Sequence, residues 1–380
     1  MGAERVADDV GKPQNGLRPD ELLSQGWARL PDAYRIPAKV PEIAEARAYC
    51  ARLARSHYEN FSVATWFLPK RLHQDFFNVY AYCRISDDLG DEVDDPRLSL
   101  ALLDRWEEEL EAMYGWLRGD GAGPTHPVFV ALEETVREFA IPQHEFSDLL
   151  TAFRQDQTVS RYETFEDLLG YCHNSANPVG HLVLYLGGYA DQERQQLSDY
   201  TCTALQLANF WQDVAVDFGK GRIYIPLEDM RGFGVDEPVI AEGRATPGFL
   251  ELMEYEVARA REWFARGLPL ESKVSGELAL DIELFTRGGQ AILKAIEDQG
   301  FDVLRRRPTI SKARKLALLG RALLRRLATH GPDDHPSKPE AGLPGTPDYH
   351  PSKPEAGLPG TPDDHPGKPK SGLTNEGAAR

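Results

Sequence analysis

The chain has 380 residues and a formal net charge of −17, with 43 Lys and Arg against 60 Asp and Glu. This charge argues against a nucleic-acid partner, because phosphate backbones are bound by clusters of Lys and Arg. The four cysteines are scattered without a CxxC pair, which favours reduced thiols in a cytoplasmic protein. We expect no signal peptide or membrane-spanning segment, since no apolar run approaches the ~18 residues that cross a bilayer. Any membrane contact is predicted to be peripheral.

The first 40 residues are rich in Pro, Gly and charge and are predicted to be a disordered leader. A helical pattern begins at Pro41 and continues through Ala54. The next polar residues are His57 and Asn60, which are either helix-end caps or ligands of a substrate. The residues by themselves leave both interpretations open.

A helix predicted over residues 73–93 carries four carboxylates within six residues. Its polar stripe is spaced 4, 3 and 4 residues apart and consists of Tyr80, Arg84, Asp87 and Asp91. The neighbouring residues are mostly apolar, so we expect this helix to be buried, and buried carboxylates need cations. Mg²⁺ held by a few carboxylates together with substrate phosphates meets that need. A solvated acidic face is the ordinary alternative.

Helices are next predicted over residues 98–118, 128–139 and 144–158. The apolar pattern of residues 165–188 is interrupted at Pro178, because proline removes a backbone hydrogen bond and kinks a helix. Small residues beside the kink leave space, either for ordinary core packing or for a substrate cavity. They are Ser175, Ala176 and Gly180.

A second acidic helix is predicted over residues 197–218 in mostly apolar surroundings. Its polar stripe consists of Gln206, Asn209, Asp213 and Asp217. Two buried helices of this kind can face each other across a cavity. Facing carboxylate sets suit the metal-assisted ionisation of a diphosphate, in which cations neutralise the leaving group.

The remaining helices are predicted over residues 247–267, 276–299 and 311–328. The last one is basic, and its Lys and Arg side chains either contact anionic lipid or are simply solvated. Two near-identical 15-residue repeats and a decayed third copy follow. They are rich in Pro and Gly, so residues 331–380 are predicted to be a disordered tail that catalysis does not need.

Three motifs resemble the squalene/phytoene synthase family of head-to-head prenyl synthases. They are Tyr80 to Glu92 (YAYCRISDDLGDE), Tyr171 to Gly180 (YCHNSANPVG) and Leu205 to Tyr224. The resemblance runs from about Tyr49 to Leu327. It implies an all-α isoprenoid synthase fold, a helical bundle around a central cavity, over residues 41–330. It also implies a prenyl diphosphate substrate and about three Mg²⁺ ions.

The resemblance also implies roles for individual residues. The metal ligands would be Asp87, Asp91, Asn209, Asp213 and Asp217. Catalysis would depend on the four aspartates together with Tyr80 and Tyr171. The substrate would be bound by His57, Asn60, Phe61, Arg84, Gln206, Gln212, Arg222 and Tyr224. Phe210 would join the aromatic residues that line the cavity, and a basic residue near Arg307 would reach a second diphosphate.

One position departs from the family's pattern. Many members that condense two prenyl diphosphates carry Arg before the second motif's aspartate, where this chain has Gln212. Loss of that charge is expected to weaken binding of a second diphosphate. Together with the segment Glu59-Asn60-Phe61, Gln212 resembles the HpnC branch of hopanoid biosynthesis. That branch implies presqualene diphosphate as substrate, hydroxysqualene as product after capture by water, other hopanoid-pathway enzymes as partners, and no NADPH.

Three alternatives stay open. The enzyme condenses two farnesyl diphosphates to presqualene diphosphate or squalene, or it is a phytoene synthase acting on longer chains. The third alternative is a catalytically inactive homologue that serves as a scaffold. The repeat tail favours that interpretation, whereas the intact carboxylates argue against it.

Overall fold

The computed structural model describes residues 19–56, 69–310 and 320, which form α-helices, short 3₁₀ turns and loops without a β-strand. The described residues thus confirm the predicted all-α fold. Thirteen helices occur in this part of the chain. In chain order they are α1 (Pro19–Trp27), α2 (Ile43–Ser56), α3 (His73–Asp91), α4 (Pro96–Arg118), α5 (Pro127–Phe139), α6 (His144–Gln155), α7 (Phe165–Ser175), α8 (Asn177–Leu186), α9 (Gln192–Gly219), α10 (Leu227–Gly232), α11 (Glu237–Ala241), α12 (Pro247–Gly267) and α13 (Gly276–Asp298).

The two acidic helices each lie within a large apolar cluster. Helix α3 packs on α2, α4 and α5, where Tyr82 and Trp106 are completely buried. Helix α9 packs on α8, α12 and α13 in a second cluster, where Trp211 is completely buried. This burial fixes the orientation of both helices, so their polar stripes are held in place by the packing of the opposite faces. No helix among the described residues is long and apolar enough to span a membrane.

The predicted disordered leader is wrong for residues 19–40. Helix α1 packs on α4, and Gly26 permits the approach, since a Cβ at this position would lie 2.9 Å from Leu102 Cδ1. Leu30 and Tyr34 are buried in the first apolar cluster. A few well-placed apolar residues therefore order a segment whose overall composition is that of a disordered chain.

The predicted interruption of residues 165–188 is present. Helix α7 ends at Ser175, Ala176 is extended in φ (−119°), and Pro178 lies in the first turn of α8. The space expected beside the kink is partly filled, because a Cβ on Gly180 would overlap Ser198 Oγ and Cys202 Sγ of α9. Gly180 thus serves the close packing of α8 on α9.

A histidine bridges two carboxylates where α6, α8 and α9 meet. His181 Nδ1 lies 2.9 Å from Glu145 Oε2, and its Nε2 lies 2.7 Å from Asp199 Oδ1. Burial opposes the charged form, but the hydrogen bonds to the two carboxylates outweigh it and raise the pKa of His181 to about 9. His144 and Asp148 also face this group. The arrangement is a buried imidazolium held between two anions.

The variant His181→Gln is expected to unfold more easily at pH 6 than the wild-type protein, by about 2–4 kcal/mol, because two carboxylates lose their cation. The histidine's pKa is higher in the folded state, so its contribution is complete below pH ~6.5 and disappears as the pH rises through about 9. Urea unfolding of both proteins at pH 6, 8 and 10 measures this difference. Exposed His173→Gln is the control, and an equal difference at all three pH values would contradict the prediction.

Candidate active site

The carboxylates of the first motif have different environments. Asp88 is buried and accepts hydrogen bonds from Tyr34 (2.6 Å to the hydroxyl oxygen) and from Arg84 Nε (3.1 Å). Asp87, by contrast, keeps 48% of its side-chain surface exposed and lies 3.6 Å from Arg84. Asp88 therefore anchors Arg84 inside the protein, whereas Asp87 is open to an incoming ligand.

The loop after α9 brings the second motif to the first. Arg222 NH1 lies 3.1 Å from Asp91 Oδ1, and Lys220 Nζ lies 3.5 Å from Asp91 Oδ2. These contacts join residues 131 positions apart in the sequence. The prediction that the two acidic stripes meet at one cleft agrees with this geometry.

On α9, the polar stripe is held by its own members and by one distant cation. Asn209 Nδ2 donates to Asp213 Oδ2 at 3.0 Å. Arg307 forms a two-pronged ion pair with Asp213, of which the NH2 to Oδ2 distance is 2.9 Å. Gln206 lies half-buried one turn before Asn209. The stripe thus faces a region that Arg307 reaches from beyond α13.

The cleft has more negative charge than its own cations balance. Burial, with Asp91 adding repulsion, raises the pKa of Asp87 to about 6. Burial, with Asp213 adding repulsion, likewise raises the pKa of Asp217 to about 6. Both shifts express the cost of crowding carboxylates without a counter-ion.

The donor chemistry of the cleft fits Mg²⁺. In the described part of the chain, no three His, Cys, Asp or Glu side chains converge closely enough to hold one ion unaided. Mg²⁺ is commonly bound by one or two carboxylates with the remaining ligands from water and substrate phosphate. Asp87 and Asp91 on one side, and Asn209, Asp213 and Asp217 on the other, would hold ions in this way.

The position of Gln212 corrects the expected substrate contact. Its side chain is buried, its Nε2 donates to the carbonyl oxygen of Pro308 at 2.6 Å, and its Oε1 accepts from Arg307 NH2 at 3.3 Å. Gln212 therefore supports the segment that carries Arg307. The expectation of a missing positive charge also needs correction, because the Arg307 guanidinium lies beside Gln212 and Asp213.

Aromatic residues form one continuous group beside the carboxylates. Tyr224 stacks on Phe210 with ring centroids 3.9 Å apart and planes 9° apart, and Tyr162 and Tyr171 adjoin it. Tyr171 and Phe210 thus lie together, as expected for lining residues. Tyr224 is buried in this stack, whereas the sequence predicted that it closes over the substrate. Stacking area outweighs exposure for a ring in this position.

Sequence analysis missed Asp156, the residue after α6. Its Oδ2 accepts a hydrogen bond from the Tyr171 hydroxyl at 3.0 Å, and its backbone oxygen lies 3.4 Å from Arg222 NH2. Its Oδ1 is buried without a hydrogen-bond partner in the described part of the chain. Burial, opposed by Arg222, raises the pKa of Asp156 to about 7. No spacing or motif distinguishes a polar residue at a helix end, so the sequence gave no signal for it.

The remaining predicted residues are placed as follows. Tyr80 is half-buried on the α3 stripe one turn before Arg84, which is occupied by Asp88. His57, Asn60 and Phe61 lie outside the described residues, as do the basic helix of residues 311–328 and the repeat tail.

Comparison with known proteins accords with this geometry. The family model "Squalene/phytoene synthase" matches residues 54–314. The crystal structure of the squalene synthase HpnC from Alicyclobacillus acidocaldarius is similar, with 43% identity and a TM-score of 0.64, over 73% of this chain and 98% of that chain. A dehydrosqualene synthase structure is similar at 26% identity and a TM-score of 0.66, over 75% and 98% of the two chains.

Among curated proteins, the phytoene synthase of Arthrospira platensis is 28% identical over 289 residues, which cover 73% of this chain and 92% of the relative. The family match covers more than half of the chain and includes both acidic helices. The protein therefore belongs to the squalene/phytoene synthase family.

Proposed function

We propose that this protein converts presqualene diphosphate to hydroxysqualene, with release of diphosphate, in hopanoid biosynthesis. The observation that carries the proposal is the 43% identity to the HpnC structure over 98% of that chain, against 26–28% for the dehydrosqualene and phytoene synthases compared above. The pair Gln212-Asp213 supports the same branch. The charge argument for Gln212 carries less weight, because Arg307 supplies a guanidinium at that point.

The cleft residues would act on the diphosphate end of the substrate. Mg²⁺, when bound by the two carboxylate sets, would neutralise the diphosphate oxygens and favour their departure. Arg222 and Arg307 provide cations at opposite ends of the cleft, paired with Asp91 and Asp213. An incoming diphosphate would compete for these guanidinium groups, since phosphate oxygens accept the same forked hydrogen bonds as carboxylates.

The aromatic group would act on the hydrocarbon end. Loss of diphosphate leaves a carbocation, and the faces of aromatic rings stabilise positive charge. Tyr171 and Phe210 adjoin the carboxylates and are buried, so water has limited access there. Addition of one water to the cation, with loss of a proton, gives the alcohol.

A product assay by mass spectrometry tests the proposal. Farnesyl diphosphate and presqualene diphosphate are supplied separately with Mg²⁺ and without NADPH. We expect only presqualene diphosphate to be consumed, giving a product that carries one hydroxyl group, and we expect EDTA to abolish the reaction. Reactions with and without NADPH should give the same product.

Other outcomes identify the alternatives. Rapid consumption of farnesyl diphosphate would replace the proposal with a first-step squalene synthase. Turnover of geranylgeranyl diphosphate alone would favour a phytoene synthase, the activity named for the curated relatives. Absence of turnover with all three substrates would favour the scaffold interpretation.

A further inference from the structure

An arginine outside the cleft holds the loop that carries Arg222. Arg161 lies between α6 and α7, and its NH1 donates to the carbonyl oxygen of Gly221 at 2.6 Å and to that of Ser160 at 2.7 Å. Its Nε and NH2 form a two-pronged ion pair with Glu237 of α11, at 2.8 and 2.9 Å. All three NH-bearing nitrogens of this guanidinium are thus in use.

The same loop is attached to residues 160–163 through its backbone. Ile223 N donates to Ser160 O at 2.9 Å, and Leu227 N donates to Tyr162 O at 2.9 Å. These bonds begin after Arg222, so they leave the turn at Gly221 to other contacts. Gly221 has a φ of +82°, a left-handed conformation at which the chain reverses. The contact from Arg161 is made to the carbonyl of this residue, directly before Arg222.

We propose that Arg161 and Glu237 form a clamp that positions Arg222 over the acidic cleft. A two-pronged pair with Glu237 fixes the plane of the guanidinium, and that plane directs NH1 at Gly221. Arg161 itself is a positioning residue, since none of its contacts is made to a residue assigned to the cleft. The inference rests on the proposed diphosphate-binding role of Arg222.

The chain offers a matched control. Arg231 pairs with Glu163 at 2.6 Å and joins the same two regions of the chain, but its side chain is 59% exposed and makes no printed contact with the 219–224 loop. Removing this pair deletes one ion pair of the same type from the same neighbourhood. It leaves the carbonyl of Gly221 and the orientation of Arg222 untouched.

Binding of inorganic diphosphate in the presence of Mg²⁺, measured by calorimetry, tests the clamp. Arg161→Gln is expected to raise the dissociation constant about 10-fold and to raise KM more than it lowers kcat. Amide hydrogen exchange in residues 219–224 is expected to become faster, while the urea midpoint stays close to that of the wild-type protein. Arg231→Gln should change neither binding nor exchange.

Further variants separate the possible failures. Glu237→Gln, which loosens the clamp from its outer side, should weaken binding in the same direction if Arg161→Gln does not fold. If Arg222→Gln weakens binding while Arg161→Gln and Glu237→Gln leave it unchanged, the clamp is wrong and the proposed site stands. If Arg222→Gln also binds diphosphate normally, both the clamp and the proposed role of the cleft are overturned.

Discussion

Asp87→Asn is expected to lower kcat/KM about 10²–10³-fold while the protein stays folded. Asp87 lies half-exposed at the cleft, and its pKa is raised to about 6 by burial and by repulsion from Asp91. Loss of its charge therefore removes a cation ligand without removing a stabilising contact. The free energy of unfolding of the metal-free variant should equal or exceed that of the wild-type protein.

The adjacent residue supplies the contrast. Asp88→Asn should cost about 2 kcal/mol or more of stability, because Asp88 is buried and accepts from both Tyr34 and Arg84. Steady-state kinetics with the prenyl diphosphate that the wild-type protein turns over, together with urea unfolding, separates the two effects. Full activity in Asp87→Asn would exclude Asp87 as a metal ligand. Equal stability losses in both variants would contradict the division of roles.

Asp156→Asn is expected to make the metal-free protein more stable at pH 8 and to lower its activity about 10–100-fold. The pKa of Asp156 is about 7 in the folded protein, above its ordinary value of 3.8, so folding favours the protonated form. Wild-type stability therefore falls as the pH rises from about 4 to about 7, because the folded state binds the extra proton. The neutral asparagine avoids this cost.

The stability gain of Asp156→Asn should be about 1–3 kcal/mol at pH 8 and should vanish near pH 4. Activity should fall because the carboxylate holds the Tyr171 hydroxyl and lies beside Arg222. Chemical unfolding with EDTA at pH 4, 6 and 8 measures the gain, and exposed Asp94→Asn is the control. A variant that is less stable than the wild-type protein at pH 8 would show that the charge of Asp156 is compensated.

Several features of this protein were determined by the sequence itself. The 3.6-residue periodicity of the apolar positions predicted most helices of the described chain, because helix formation and burial of one face are set by neighbours in sequence. The bounds of α12, predicted as 247–267 and observed as Pro247–Gly267, show how well such local signals work. The two acidic stripes were recognisable for the same reason, since their members are one turn apart.

Tertiary structure decided which polar residues share the cleft and which support it. Asp87 and Asp88 are indistinguishable in sequence, yet the burial of Tyr34 beside α3 assigns one to the cleft and the other to the core. The ordered segment of residues 19–40 had the composition of a disordered leader, because composition does not show which few apolar residues find a partner surface. Gln212, Asp156 and Arg161 obtain their roles from segments 96, 15 and 60 residues away. Contacts over such separations depend on how the helices pack, and a single sequence carries no local pattern for them.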